Sequence, residues 1–131
     1  MLDELRHVLE EEGDIAYALL FGSGARGQLR AESDVDVAVE LAPGASRDTL
    51  RLGQLAARLE SAAGRPVDLV LMDEAPSPLA YRIFRDGRLL VERDHAALAQ
   101  RKARAILEYL DFRPVEALCA DGVLRAATRR G

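Results

Sequence analysis

Asp34 and Asp36 open the run DVDVAVEL at residues 34–41. In an extended chain, residues two apart point to the same side, with Cα atoms roughly 6.5 Å apart. Two carboxylates are therefore aimed at one small volume. Like charges this close repel, and one takes up a proton unless a cation lies between them. A hard divalent ion such as Mg²⁺ suits that position, because it accepts one or two carboxylates and keeps sites for phosphate oxygens. In isolation so short a pattern more often marks a solvated strand start, or a pair neutralised by Arg26 or Arg30.

Two other features bear on that choice. The apolar run IAYALLF ends at Gly22 and Ser23, and Gly24 and Gly27 follow closely. Such a turn can face several backbone N–H groups toward one point, where a phosphate would be held, and Ser23 can add a hydroxyl donor. It also reads as a turn that only reverses the chain. Asp68 interrupts the apolar run PVDLVLM. A charge there is costly unless it is paired, with Arg65 for example, or bound to a metal. If that run lies beside DVDVAVEL, Asp68 joins Asp34 and Asp36. A phosphate cradle, a carboxylate pair and a third carboxylate on a neighbouring strand would accommodate a triphosphate and one or two Mg²⁺ ions.

The elements that must position these residues follow from hydrophobic spacing. Leu2, Leu5, Val8 and Leu9 predict a helix, with Gly13 as its stop. IAYALLFG, DVDVAVEL, PVDLVLM and GRLLVE read as strands. On the second, Val35, Val37, Val39 and Leu41 face one way, and Asp34, Asp36, Ala38 and Glu40 the other. Ser46 is a candidate N-cap for a helix carrying Leu52, Leu55, Leu59 and Ala63, which Gly64 and Pro66 end. SPLAYRIF predicts a short helix with Pro78 in its first turn. A long helix begins near Asp94, and after Pro114 a last one is expected to about Arg125. The fold class is α/β (α+β): a small mixed sheet of three to four strands with helices packed mainly on one face. One domain over 1–131 is the simplest reading, with a core to about residue 92 and C-terminal helices over about 94–126.

Bulk composition limits the partners. A net charge of −4 with no basic tract disfavours stable nucleic-acid binding. No run approaches the roughly 20 apolar residues that span a membrane. The acidic N-terminus is unlike a signal peptide, and the single Cys119 excludes an internal disulfide. Both features fit the cytoplasm. His7, on an acidic helix, reads as exposed, and His95, at a helix start, has no second His or Cys at metal-ligand spacing. Tyr17, Tyr81 and Tyr109 read as core or rim packing.

FGSGARGQLRAESDVDVAV, with a later aspartate inside a strand, resembles the DNA polymerase beta-like nucleotidyltransferase superfamily. The ARG after the glycine–serine pair and SDVDVAV look most like the minimal nucleotidyltransferase (MNT) family, and within it the MntA-type adenylyltransferase antitoxins. The resemblance implies a nucleotidyltransferase fold. It implies that Gly22 and Ser23 bind nucleotide phosphates, and that Asp34, Asp36 and Asp68 are catalytic and hold Mg²⁺. Arg26 and Arg30 become the nearest cations for the triphosphate, although surface arginine on a polar loop describes them equally well. Gly24 stands where larger residues are common in the family. Relatives of this type transfer AMP from ATP to a tyrosine hydroxyl of a HEPN-domain ribonuclease toxin and so neutralise it. The implied partners are ATP and such a toxin, in a hetero-oligomer. The alternatives are an aminoglycoside-type small-molecule nucleotidyltransferase, disfavoured by the short chain, and a non-catalytic antitoxin that only masks its toxin.

Overall fold

The structure is a computed structural model that describes residues 1–25, 27 and 33–120, with side chains as far as Asp111. Its elements are α1 (Leu2–Glu11), β1 (Ile15–Phe21), β2 (Val35–Leu41), α2 (Thr49–Ala63), β3 (Val67–Leu71), α3 (Ser77–Asp86), β4 (Arg88–Glu92) and α4 (His95–Ala120). The strands form one mixed sheet in the order β3-β2-β1-β4. β1 pairs antiparallel with β2 and β4, and β2 pairs parallel with β3. The α+β fold is the one expected.

The helices cover both faces of the sheet, which corrects the expectation that they pack mainly on one. Val35, Val37, Val39 and Leu41 of β2 join Leu5 and Leu9 of α1 and Leu55 and Leu59 of α2 in one core. Ala38 of β2 joins Tyr17 and Leu19 of β1 with Ala80, Ile83 and Phe84 of α3 and Ala105 of α4 in a second. β1 explains the arrangement. It is apolar at every position and buried from Ile15 to Leu20, so both its faces need cover. Its register slips between Ile15 and Tyr17. That bulge places the consecutive residues Ala16 and Tyr17 in the same core. Tyr17 is fully buried, and its hydroxyl donates to Glu40 Oε1 at 2.7 Å.

Several boundaries are set by groups distant in sequence. The end of α1 is held by the Arg93 guanidinium, which donates to the carbonyls of Leu9, Glu10 and Glu12. Leu9 and Glu10 belong to the last turn of α1, whose carbonyls lack i+4 partners within the helix, and Glu12 is its C-cap. The N-cap of α2 is Asp48 rather than Ser46. Ser46 Oγ instead accepts the Asp48 N–H at 3.2 Å. Gly64 ends α2 with φ +71°, as expected. α4 runs through Pro114, so the separate last helix is not seen among the described residues. Proline removes only its own N–H from the helix ladder, and the helix is continuous across it. Residues beyond Ala120 lie outside the described residues.

Candidate functional site

The parallel pairing of β2 with β3 builds the site. Its register sets Val35 opposite Val67 and Asp36 opposite Asp68. The Val35 N–H donates to the carbonyl of Pro66 at 2.9 Å, which ties the two strand starts together. The Val67 N–H is held by Glu60 Oε2 at 3.1 Å. Residues opposite one another in a parallel pair project to the same face. Asp36 and Asp68 thus stand side by side at the mouths of adjacent strands. Asp34 precedes β2 and is exposed, Asp36 is half-buried, and Asp68 is exposed.

The glycine–serine turn closes on the same point. β1 delivers it there, because Phe21 pairs with Asp36 across the antiparallel ladder. Gly22 follows with φ +72°, and a Cβ built on it would lie 2.4 Å from Asp36 Oδ2. The turn's backbone therefore packs directly on the Asp36 carboxylate. Ser23, Gly24 and Ala25 continue the turn, half-buried, and the Gly27 N–H reaches the Gly24 carbonyl at 3.3 Å. A Cβ at Gly24 would meet Leu20 Cδ1 at 3.4 Å, an ordinary contact, so a larger residue there would pack on β1. Arg26 and Arg30 lie outside the described residues.

The electrostatics follow from this convergence. Burial, then the charges of Asp68 and Asp34, push the Asp36 carboxyl above its ordinary value. Arg26 and Arg30, the arginines open as partners of Asp34 and Asp36, lie outside the described residues, and so does that alternative. Among the described residues there is no group of three or more His, Cys, Asp or Glu side chains gathered closely enough to hold a metal ion. The strands set Asp36 and Asp68 in register, and the charges of Asp68 and Asp34 both act on the Asp36 carboxyl. The donor set fits a hard divalent ion: anionic oxygens only, one of them half-buried, beside a glycine-rich backbone turn. Residues read as bland behave so. His7 and His95 are exposed, and Tyr81 stacks on Tyr109 at 4.0 Å.

A raised carboxyl pKa has a defined stability signature. The folded state binds the Asp36 proton more tightly than the unfolded chain, so its stabilising effect is complete below the unfolded value. It is lost as pH rises through the raised folded value. Asp36→Asn should therefore raise the melting temperature by a few degrees at neutral pH in EDTA, and should flatten this loss. Differential scanning calorimetry across pH 3–7 would read it. A lower melting temperature for D36N would mean that the charge is not under strain.

Comparison with known proteins agrees with this geometry. The family description "Polymerase beta, Nucleotidyltransferase" matches residues 3–96. No curated protein matches the sequence. Among solved structures, the chain is similar to one from a toxin–antitoxin with AMP-PNP, at TM-score 0.75 and 23% identity, covering 94% of this chain and 98% of that one. It is similar to one from the MntA–HepT toxin–antitoxin, at TM-score 0.68 and 22% identity, covering 94% and 96%. A third comes from a tri-AMPylated Shewanella oneidensis HEPN toxin in complex with an MNT antitoxin, at TM-score 0.68 and 22% identity, covering 95% and 99%. With the family description matched over well more than half of its residues, and with a glycine–serine turn packed on strand-borne carboxylates, this chain belongs to the polymerase beta-type nucleotidyltransferase family.

Proposed function

We propose that the protein is an Mg²⁺-dependent adenylyltransferase that moves AMP from ATP to a tyrosine hydroxyl of a HEPN-domain toxin, and that it acts as that toxin's antitoxin. One observation carries the reading: Asp36 sits in register with Asp68 while the Gly22 backbone rests on the Asp36 carboxylate. The partner is supported by the extent of the fold likeness. The family match ends at residue 96, but the likeness to chains from toxin–antitoxin structures covers 94–95% of this chain, so it extends into α4.

The proposed roles follow from placement. Asp34 and Asp36 would hold the metal, with Asp68 completing the set from β3. When bound, Mg²⁺ supplies positive charge against the α-phosphate and the departing pyrophosphate. The turn from Gly22 to Ala25 offers backbone N–H groups to the phosphates, and Ser23 offers a hydroxyl. Arg26 and Arg30, next along the sequence, would neutralise the triphosphate. The Asp68 carboxylate would accept the proton of the attacking hydroxyl. One bond forms, from that oxygen to the α-phosphorus, and one breaks, from the α-phosphorus to the bridging oxygen of pyrophosphate.

Incubation with ATP, Mg²⁺ and the product of the adjacent gene, followed by intact-mass measurement, tests the reading. The partner should gain one or more AMP units, and omission of Mg²⁺ should abolish the gain. An aminoglycoside that is labelled while the partner is not would replace the protein acceptor with a small molecule.

A further inference from the structure

A cavity of about 650 Å³ opens at the other end of the strands, between the end of β2 and the first turns of α4. Its wall includes Glu40, Arg47, Asp94, Gln100, Arg101 and Arg104. Glu40 lies four residues along β2 from Asp36, about 13 Å at about 3.3 Å per residue. The cavity is therefore separate from the carboxylate cluster.

The acids of this wall are already engaged. Glu40 accepts the Tyr17 hydroxyl at 2.7 Å, Asp94 accepts the Ala97 N–H at 3.0 Å, and Asp73 pairs with Arg47. Two of the arginines are not. Arg101 is only 6% exposed. Its Nη2 donates to the carbonyls of Met72 and Ala75 at 3.2 and 3.4 Å. Its Nε and Nη1 are buried with no acceptor, and among the described residues no carboxylate forms an ion pair with it. Arg104, one turn later, has among the described residues only a loose pair with Glu108 at 3.9 Å, open to solvent. A guanidinium cannot shed its charge by losing a proton. A buried one without a counter-anion is costly, and an anion entering the cavity would relieve that cost.

We infer that this cavity is a second ligand site, which takes a phosphate group, free or carried on a nucleotide, between Arg101 and Arg104. Both bonds from Arg101 Nη2 are at the long end of the N–H···O range or beyond it, so turning the guanidinium toward an oxyanion sacrifices little. Its planar fork then matches two phosphate oxygens. Gln100 adds an amide donor, and the cavity has the volume of a small-molecule site. The inference does not depend on the transfer reaction or on its acceptor.

The test is a nuclear magnetic resonance titration of the ¹⁵N-labelled full chain in EDTA at constant ionic strength. The probes are inorganic phosphate, AMP and adenosine. The Arg101 Nε–H and the backbone amides of residues 97–104 should shift and saturate with phosphate and AMP, but not with adenosine. Tighter AMP than phosphate identifies a nucleotide-borne group, and the reverse order identifies the free ion. Arg104→Gln, a change at an exposed position, should weaken binding about tenfold and leave the remaining spectrum in place. The site is disproved by shifts that rise without saturating up to about 20 mM, or by shifts confined to residues 22–25. A response to adenosine equal to that to AMP, or unchanged binding in R104Q, also disproves it.

Discussion

The double substitution Asp34→Ala with Asp36→Ala should lower AMP transfer by about 10³-fold or more, the scale on which charge stabilisation contributes to phosphoryl transfer. Capture of the partner should stay nearly unchanged. The two expectations separate catalysis from binding, because on the proposed reading these side chains serve the nucleotide site rather than support the fold. Asp34 is exposed, and Asp36 carries a half-buried charge repelled by its neighbours. Removing them deletes the proposed metal ligands and relieves repulsion at Asp36, so the variant should fold at least as well as the parent. Intact-mass kinetics on the partner measure the first expectation and a pull-down measures the second. A parallel loss of partner capture would favour an antitoxin that only masks its toxin. Unchanged transfer would remove the carboxylates from the chemistry altogether.

Gly22→Ala should cost transfer about 10²-fold, the scale of an ångström-sized misplacement in a reacting site. Two independent reasons lead to the same result. At φ +72° a side chain is strained by about 1–2 kcal/mol. The new methyl would also stand 2.4 Å from Asp36 Oδ2, closer than atoms approach without bonding. Either the turn moves away from β2, carrying its N–H groups off the phosphates, or the Asp36 carboxylate swings out of line. Gly24→Ala is the matched control. Its Cβ would meet Leu20 at 3.4 Å, and Gly24 has no positive φ, so activity should stay within a few-fold of the parent. Equal kinetics for the two variants would show that the close approach of turn and carboxylate does not matter.

Local sequence was most informative where periodicity and composition act over a few residues. Alternation in 34–41 placed Asp36 and Val37 on opposite faces, and the structure keeps them there. The glycine–serine turn was legible because only a tight, glycine-rich segment can end β1 as it does. The N-cap of α2 was misplaced by two residues, because Ser46 and Asp48 are both good caps and the loop geometry chooses between them. Arg101 was not singled out: in sequence it is one of several arginines on a long amphipathic helix. A clue was present in the three-residue spacing from Arg101 to Arg104, which puts both on one helix face.

What the amino-acid order determined by itself is the inventory: which segments extend, which coil, and which short motif carries glycine, serine and two aspartates. Propensity and hydrophobic period operate within a few residues, so they survive without a fold. The tertiary structure alone decided the encounters. It set Asp68 against Asp36 through a parallel register, laid Gly22 on that carboxylate through an antiparallel one, and covered both sheet faces with helices. It also buried Arg101 with its Nε and Nη1 unpartnered among the described residues. Each of these joins residues far apart in the chain, and their pairing is chosen by global packing rather than by any local preference.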